Sequence, residues 1–156
     1  GTIYVNGRDV KKIPTKELRD MESYVTQETH LFHDSIANNI AIAKQDATRE
    51  EIIEAAKRAS IHNFIMTLPD GYDTKVGELG DTLSGGEKQR IGIARAFLHS
   101  TGSFMLLDEP SSNLDSLNEG IILKSLKESA KDKTVVLVSH RKSTMTVADV
   151  VYEMGN

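Results

Sequence analysis

The chain has 156 residues, 38% of them hydrophobic and 27% charged, with a formal net charge of −4 at pH 7. That balance excludes a disordered chain and lacks the basic footprint of a nucleic-acid binder. Cysteine is absent, which excludes disulfides and thiolate metal sites and fits a cytoplasmic setting.

No apolar run approaches the roughly 18 residues of a membrane span. The opening residues do not read as a signal peptide, and Gly1 rather than Met opens the chain, as expected of a processed product or an excised piece. Thr2–Val5 reads as a short strand ended by the turn signal Asn6-Gly7. Thr15, after Pro14, can cap a short helix through Leu18. Residues 23–27, SYVTQ, read as a second short strand running into a polar loop. From Ser35 to Leu68 the pattern is helical, in the runs SIANNIAIA, TREEIIEAAKRAS and IHNFIMTL, and Thr48 with Glu51 makes a capping box ahead of Ile52, Ala55, Ala56 and Ala59 on one face. Pro69-Asp70-Gly71 closes this block with turn chemistry, and TKVGELGD at 74–81 reads as a glycine-containing loop.

LSGGEKQR follows at 83–90. Gly85 and Gly86 each cost helix stability, about 1 kcal/mol against alanine in an interior position. Yet Ser84 and Glu87 form a second capping box, and Ile91, Ala94, Arg95 and Leu98 keep helical spacing. The reading is a helix that starts at Ser84 with a bare first turn. Its free N–H groups and positive dipole end suit an anion, although a flexible turn running into a capped helix reads the same way.

The second half alternates. FMLLD at 104–108 reads as a buried strand, 116–130 as a helix, TVVLVSH at 134–140 as a strand, 142–147 as a short helix and DVVYEM at 149–154 as a last strand. Such alternation with apolar strands predicts an α/β fold on a mostly parallel sheet. A helical insert is expected at 35–80. The strand at 104–108 delivers Asp108 and Glu109 to a sheet edge, where open α/β folds bind ligands. One carboxylate of such a pair can hold Mg²⁺ while the next polarises a water; solvated acids after a buried strand are the plainer alternative. His140 ends its strand at the same kind of position. His30 and His33 form an H-x-x-H pair with no clear third metal ligand.

LSGGEKQRIGIARA, FMLLDEP, SSNLD and SH, in that order and at short spacing, resemble the nucleotide-binding (ATPase) domain of ABC transporters. LFHDSIANNI at 31–40 and TKVGELG at 74–80 resemble segments of the exporter type, the latter departing from the usual loop at Lys75 and Leu79. Other departures are Glu87 for the usual glutamine of the signature motif, Pro110, and Asn113 in the D-loop. The resemblance runs over nearly the whole chain. It implies part of a P-loop NTPase (ABC ATPase) fold in one domain, residues 1–156, with 84–98 as the signature helix and 1–34 and 99–156 as the α/β core. It implies the cofactors ATP and Mg²⁺. Ser84, Gly85, Gly86, Glu87, Gln27 and Asp115 would take part in nucleotide binding, Asp108 and Gln27 in holding the metal, and Glu109 and His140 in catalysis as base and switch.

The P-loop itself, G-x-x-x-x-G-K-[ST], is missing from these 156 residues. Lys124-Ser125, Lys133-Thr134 and Lys142-Ser143 are the lysines that precede Ser or Thr, and none follows a glycine. The family places that loop upstream of GTIYVNGRDV, so the chain is expected to be truncated just after it and inactive alone. The resemblance further implies transport-coupled ATP hydrolysis in the parent protein, a head-to-tail pair with a second ABC ATPase domain, contact of Glu28–Phe32 and the helical insert with the coupling helices of a transmembrane domain, and a place on the cytoplasmic side of the membrane. An apolar edge or face of the sheet is expected to be exposed, with self-association as its consequence. The alternative is a non-catalytic regulatory or interaction module that keeps half of the site. A DNA-repair or chromosome ATPase would need a long coiled-coil insert that is not here, and the acidic balance disfavours DNA.

Overall fold

The computed structural model describes residues 2, 4–5, 8–12, 14, 22–25, 29–79, 82–99, 104–108, 114–132 and 134–153. The expected helix from Thr15 to Leu18, and the candidate residues Gln27 and Glu109, lie outside these.

Strands β1 (Tyr4–Val5) and β2 (Arg8–Asp9) form a small antiparallel ladder, Tyr4 opposite Asp9 and Val5 opposite Arg8. The main sheet is parallel, in the order β3-β4-β5, from β3 (Glu22–Val25), β4 (Phe104–Asp108) and β5 (Thr134–Val138). β4 is central, with Val25 in register with Leu107 and Asp108 with Val138. Met105 and Leu107 on β4 are fully buried, as a strand covered by neighbours requires.

Between β3 and β4 lie the helices α1 (Ile36–Ile40), α2 (Arg49–Arg58), α3 (His62–Met66), α4 (Val76–Leu79) and α5 (Gly85–His99). The three helical runs expected between Ser35 and Leu68 form as α1, α2 and α3, broken around residues 44–48 and 59–61. The second break has a backbone cause. Ser60 adopts φ 57°, Ser60 N donates to Lys57 O, and Ile61 N reaches back to Ala56 O across 2.9 Å; this is a Schellman close with a serine where glycine is usual. The Thr48–Glu51 capping box forms with both reciprocal bonds. The loop expected at 74–81 contains the short helix α4. α6 (Ser116–Ser129) and α7 (Lys142–Met145) follow β4 and β5.

α5 packs on α2 and α1 on one side and on β3 on the other, so it is the joint between the helical insert and the sheet. Ile91, Ile93 and Ala94 are fully buried there, and Ile36, Ile40, Ile52 and Ile65 come from the insert to meet them. Each large aliphatic side chain so buried contributes about 1.5–3 kcal/mol. β5 is covered on one face. Val135 and Leu137 pack toward the core, while Val136 and Val138 point outward, 40% and 50% exposed.

The strand expected at 149–154 does not form over its described residues, 149–153. They make no ladder, and Val150 and Tyr152 are exposed. Apolar composition permits a strand but does not by itself place the run against a partner: β5 pairs with β4 alone among the described strands, and residues 149–153 do not add to it.

Candidate active site

The bare turn at 84–87 is the first turn of a 15-residue helix. Glu87 N donates to Ser84 Oγ at 3.2 Å, and Ser84 N donates to Glu87 Oε2 at 2.6 Å, so the predicted capping box closes in both directions. These bonds satisfy two of the amides at this end. The Gly85 and Gly86 amides are left with no acceptor inside the helix. Ser84 and Gly85 are exposed, so an anion can reach the turn. The Glu87 carboxylate points back to Ser84, which makes it the residue that shapes the turn.

Asp115 is the N-cap of α6. Its Oδ1 accepts from Asn118 N at 2.8 Å, and both carboxylate oxygens accept from Asn118 Nδ2 at 3.0 Å. The Asn118 amide, then its side chain, and then the nearby Arg90 charge hold the Asp115 carboxyl below its usual pKa. Asn118 Oδ1 in turn accepts from Arg90 Nη1 at 3.2 Å. The same Nη1 donates to Ser60 O at 3.2 Å, and Arg90 Nε leans on Gly86 O at 3.4 Å. Asp115 and the glycine turn, 29 residues apart in sequence, are thus connected through two side chains.

Asp108 ends the central strand. His140 stands two residues beyond Val138, the register partner of Asp108, so both occupy the same end of the sheet. His140 is exposed on a turn that Ser139 organises: Ser139 Oγ accepts from Arg141 N at 3.0 Å and donates to Thr144 Oγ1 at 3.1 Å.

A second arginine of α5 grips the segment after Gln27. Arg95 Nε donates to Asn39 O at 2.8 Å and Nη2 to His30 O at 3.1 Å, and burial pulls its pKa down. Asn39, 1% exposed, staples that segment: its Oδ1 accepts from Phe32 N at 2.8 Å while Nδ2 donates to Phe32 O and Ser35 O. Gly92 completes the contact, since a methyl group there would run into Thr29 Oγ1. Spacing did not point to Arg90, Arg95 or Asn39, because their partners lie far off in sequence. Asn118, three residues after Asp115, carried a local cap signal that could have been read.

The model of the ABC transporter family matches residues 1–112. The chain belongs to the ABC transporter family. All 156 residues align with a Haemophilus influenzae protein named as an ABC transporter ATP-binding/permease protein, at 57% identity and over 28% of that protein. A Bacillus subtilis protein named for multidrug export, also ATP-binding/permease, is 48% identical over all of this chain and 27% of its own length. The chain thus spans under a third of these relatives. An Atm1-family ABC exporter of bacterial origin, solved with ATP bound, superposes with a TM-score of 0.85 at 42% identity, over 96% of this chain and 26% of that one. The α/β fold with its parallel sheet and helical insert is that of an ABC exporter ATPase domain, within the P-loop NTPase class. Among the described residues no helix is long and apolar enough to cross a membrane.

The donor set fits the cofactors this family uses. Two glycine amides at an exposed helix start suit a phosphate, and a strand-end carboxylate suits a hard cation.

Proposed function

We propose that residues 1–156 are part of the ATP-hydrolysing domain of an ABC exporter, coupling ATP hydrolysis to transport across a membrane. The observation that carries this reading is the reciprocal Ser84–Glu87 capping box, which presents the Gly85 and Gly86 amides at an exposed helix start, in a chain of this family. Ser84, Gly85 and Gly86 donate to the terminal phosphate of a nucleotide held by a second ABC domain paired head to tail. Asp108 and Gln27 hold Mg²⁺, Glu109 takes the proton of the attacking water, and His140 answers to the phosphate. Asp115, tied to the same helix through Asn118 and Arg90, aligns the two halves. Mg²⁺, when bound, neutralises charge developing on the phosphates.

The coupling helices of a transmembrane domain meet the segment around Glu28–Phe32 and the helical insert, which puts this domain on the cytoplasmic face. Arg95 and Asn39 support that role, since they fix the segment to the phosphate-facing helix. Residues 1–156 alone lack the phosphate cradle and do not hydrolyse ATP. Their exposed Val136 and Val138 face favours self-association.

The test is ATP turnover by the full-length gene product in lipid vesicles. Hydrolysis that requires Mg²⁺ and is lost in Asp108→Asn is expected; absence of turnover under these conditions overturns the proposal.

A further inference from the structure

Glu119 is a buried carboxylate that the scheme above leaves unused. It is 8% exposed and sits in the first turn of α6, where its amide donates to Asp115 O at 2.8 Å. Its Oε1 accepts from Ser143 Oγ at 2.8 Å and faces Arg141 Nη1 at 3.2 Å. Arg141 directly follows His140, and Ser143 lies on α7, which continues the same turn. A charge this deep is costly to bury unless it is paired and hydrogen-bonded. Its partners here hold the two ends of the short segment after His140.

The turn has further internal bonds, from Ser139 Oγ to Arg141 N and Thr144 Oγ1. Those bonds shape the turn without attaching it to anything else. Glu119 fastens it to the first turn of the helix that Asp115 caps, so His140 and Asp115 are mounted on one support.

We propose that Glu119 is a positioning residue for His140, acting through Arg141 and Ser143 to hold the imidazole at the sheet edge beside Asp108. The inference rests on the reading of His140 as the residue that answers to the nucleotide phosphate. Its effect passes through the histidine.

The experiment is a double-mutant cycle on steady-state ATP turnover by the full-length gene product. Glu119→Gln keeps the size of the side chain and removes its charge. It is expected to lower kcat by about tenfold or more with KM for ATP little changed, because a displacement of about 1 Å in a supporting group costs on the order of 10²-fold. In a His140→Ala background the same substitution is expected to have no further effect. A residue that only stabilises the fold would lower activity equally in both backgrounds, and that additive result overturns the inference while leaving the reading of His140 intact. Unchanged turnover in His140→Ala overturns that reading and the inference with it. Should Glu119→Gln fail to fold, Ser143→Ala takes its place in the cycle: it removes the Ser143 tether while the Arg141 pair remains. A smaller kcat loss that disappears without His140 supports the proposal, and a loss that persists there overturns it.

Discussion

Arg90 Nη1 donates to Asn118 Oδ1 across 3.2 Å, and this bond joins the helix that begins at the glycine turn to the helix that Asp115 caps. The same nitrogen holds Ser60 O, at the close of α2. Three helices therefore meet on one guanidinium: α2, α5 and α6. Arg90→Ala is expected to lower the unfolding free energy by about 1.5–3 kcal/mol, the usual range for hydrogen bonds to a charged group. Arg90→Lys should recover only part of this, because an ammonium cannot reproduce the planar fork. Urea denaturation of the three proteins measures both effects.

The capping box at the glycine turn makes a separable prediction. Ser84→Ala removes the acceptor for Glu87 N and is expected to cost about 1 kcal/mol, whereas Ser84→Gly should cost only a few tenths. Denaturation midpoints give the comparison. Equal losses for both variants would mean that the cap contributes little and that the exposed turn is held by other contacts.

Tyr72 gives the alkaline side of the stability profile. Its phenol is 6% exposed and lies 2.7 Å from His62 Nδ1. Burial raises its pKa from 10.0 to about 12, with the Arg49 charge pulling the other way. Because the folded pKa lies above the unfolded one, the stabilisation is fully present below about pH 10 and is lost as pH rises toward 12. The thermal midpoint of the wild type should fall across that window, and Tyr72→Phe should remove this part of the fall while losing the His62 bond at every pH. The profile of midpoint against pH for the two proteins checks the sign.

Isolated residues 1–156 should show neither ATP turnover nor stoichiometric ATP binding by calorimetry. Binding that Asp108→Asn abolishes would show that these residues make a complete site without a phosphate-cradle motif.

What could be read in the sequence was local. Ser84 with Glu87 and Thr48 with Glu51 gave two helix starts because a cap and its reply lie three residues apart. FMLLD and TVVLV gave two parallel strands because each is a short apolar run, although only the central β4 is covered by strands on both sides and β5 leaves Val136 and Val138 exposed. The run DVVYEM is also rich in apolar residues, yet it forms no ladder over its described residues, since residue type permits a strand but does not bring it against a partner. The electrostatic frame was equally hidden. Arg90 reaches Ser60 and Asn118, 30 and 28 positions away, Arg95 reaches His30 across 65, and Glu119 reaches Ser143 across 24. On a helical pattern these are ordinary polar residues. Arg95 even falls on the apolar face, where the fold buries it against main-chain oxygens. Gln27 and Glu109, to which only the family resemblance assigns a role, lie outside the described residues.

If this chain carries the hydrolytic half of a nucleotide site, Glu109 is the residue whose loss should show it. ATP turnover by the full-length gene product should fall by roughly 10²-fold or more in Glu109→Gln, the scale set by loss of a general base, with nucleotide still bound. Turnover in Glu109→Gln equal to that of the wild type would mean that Glu109 is not the general base and that this chain does not carry the hydrolytic half.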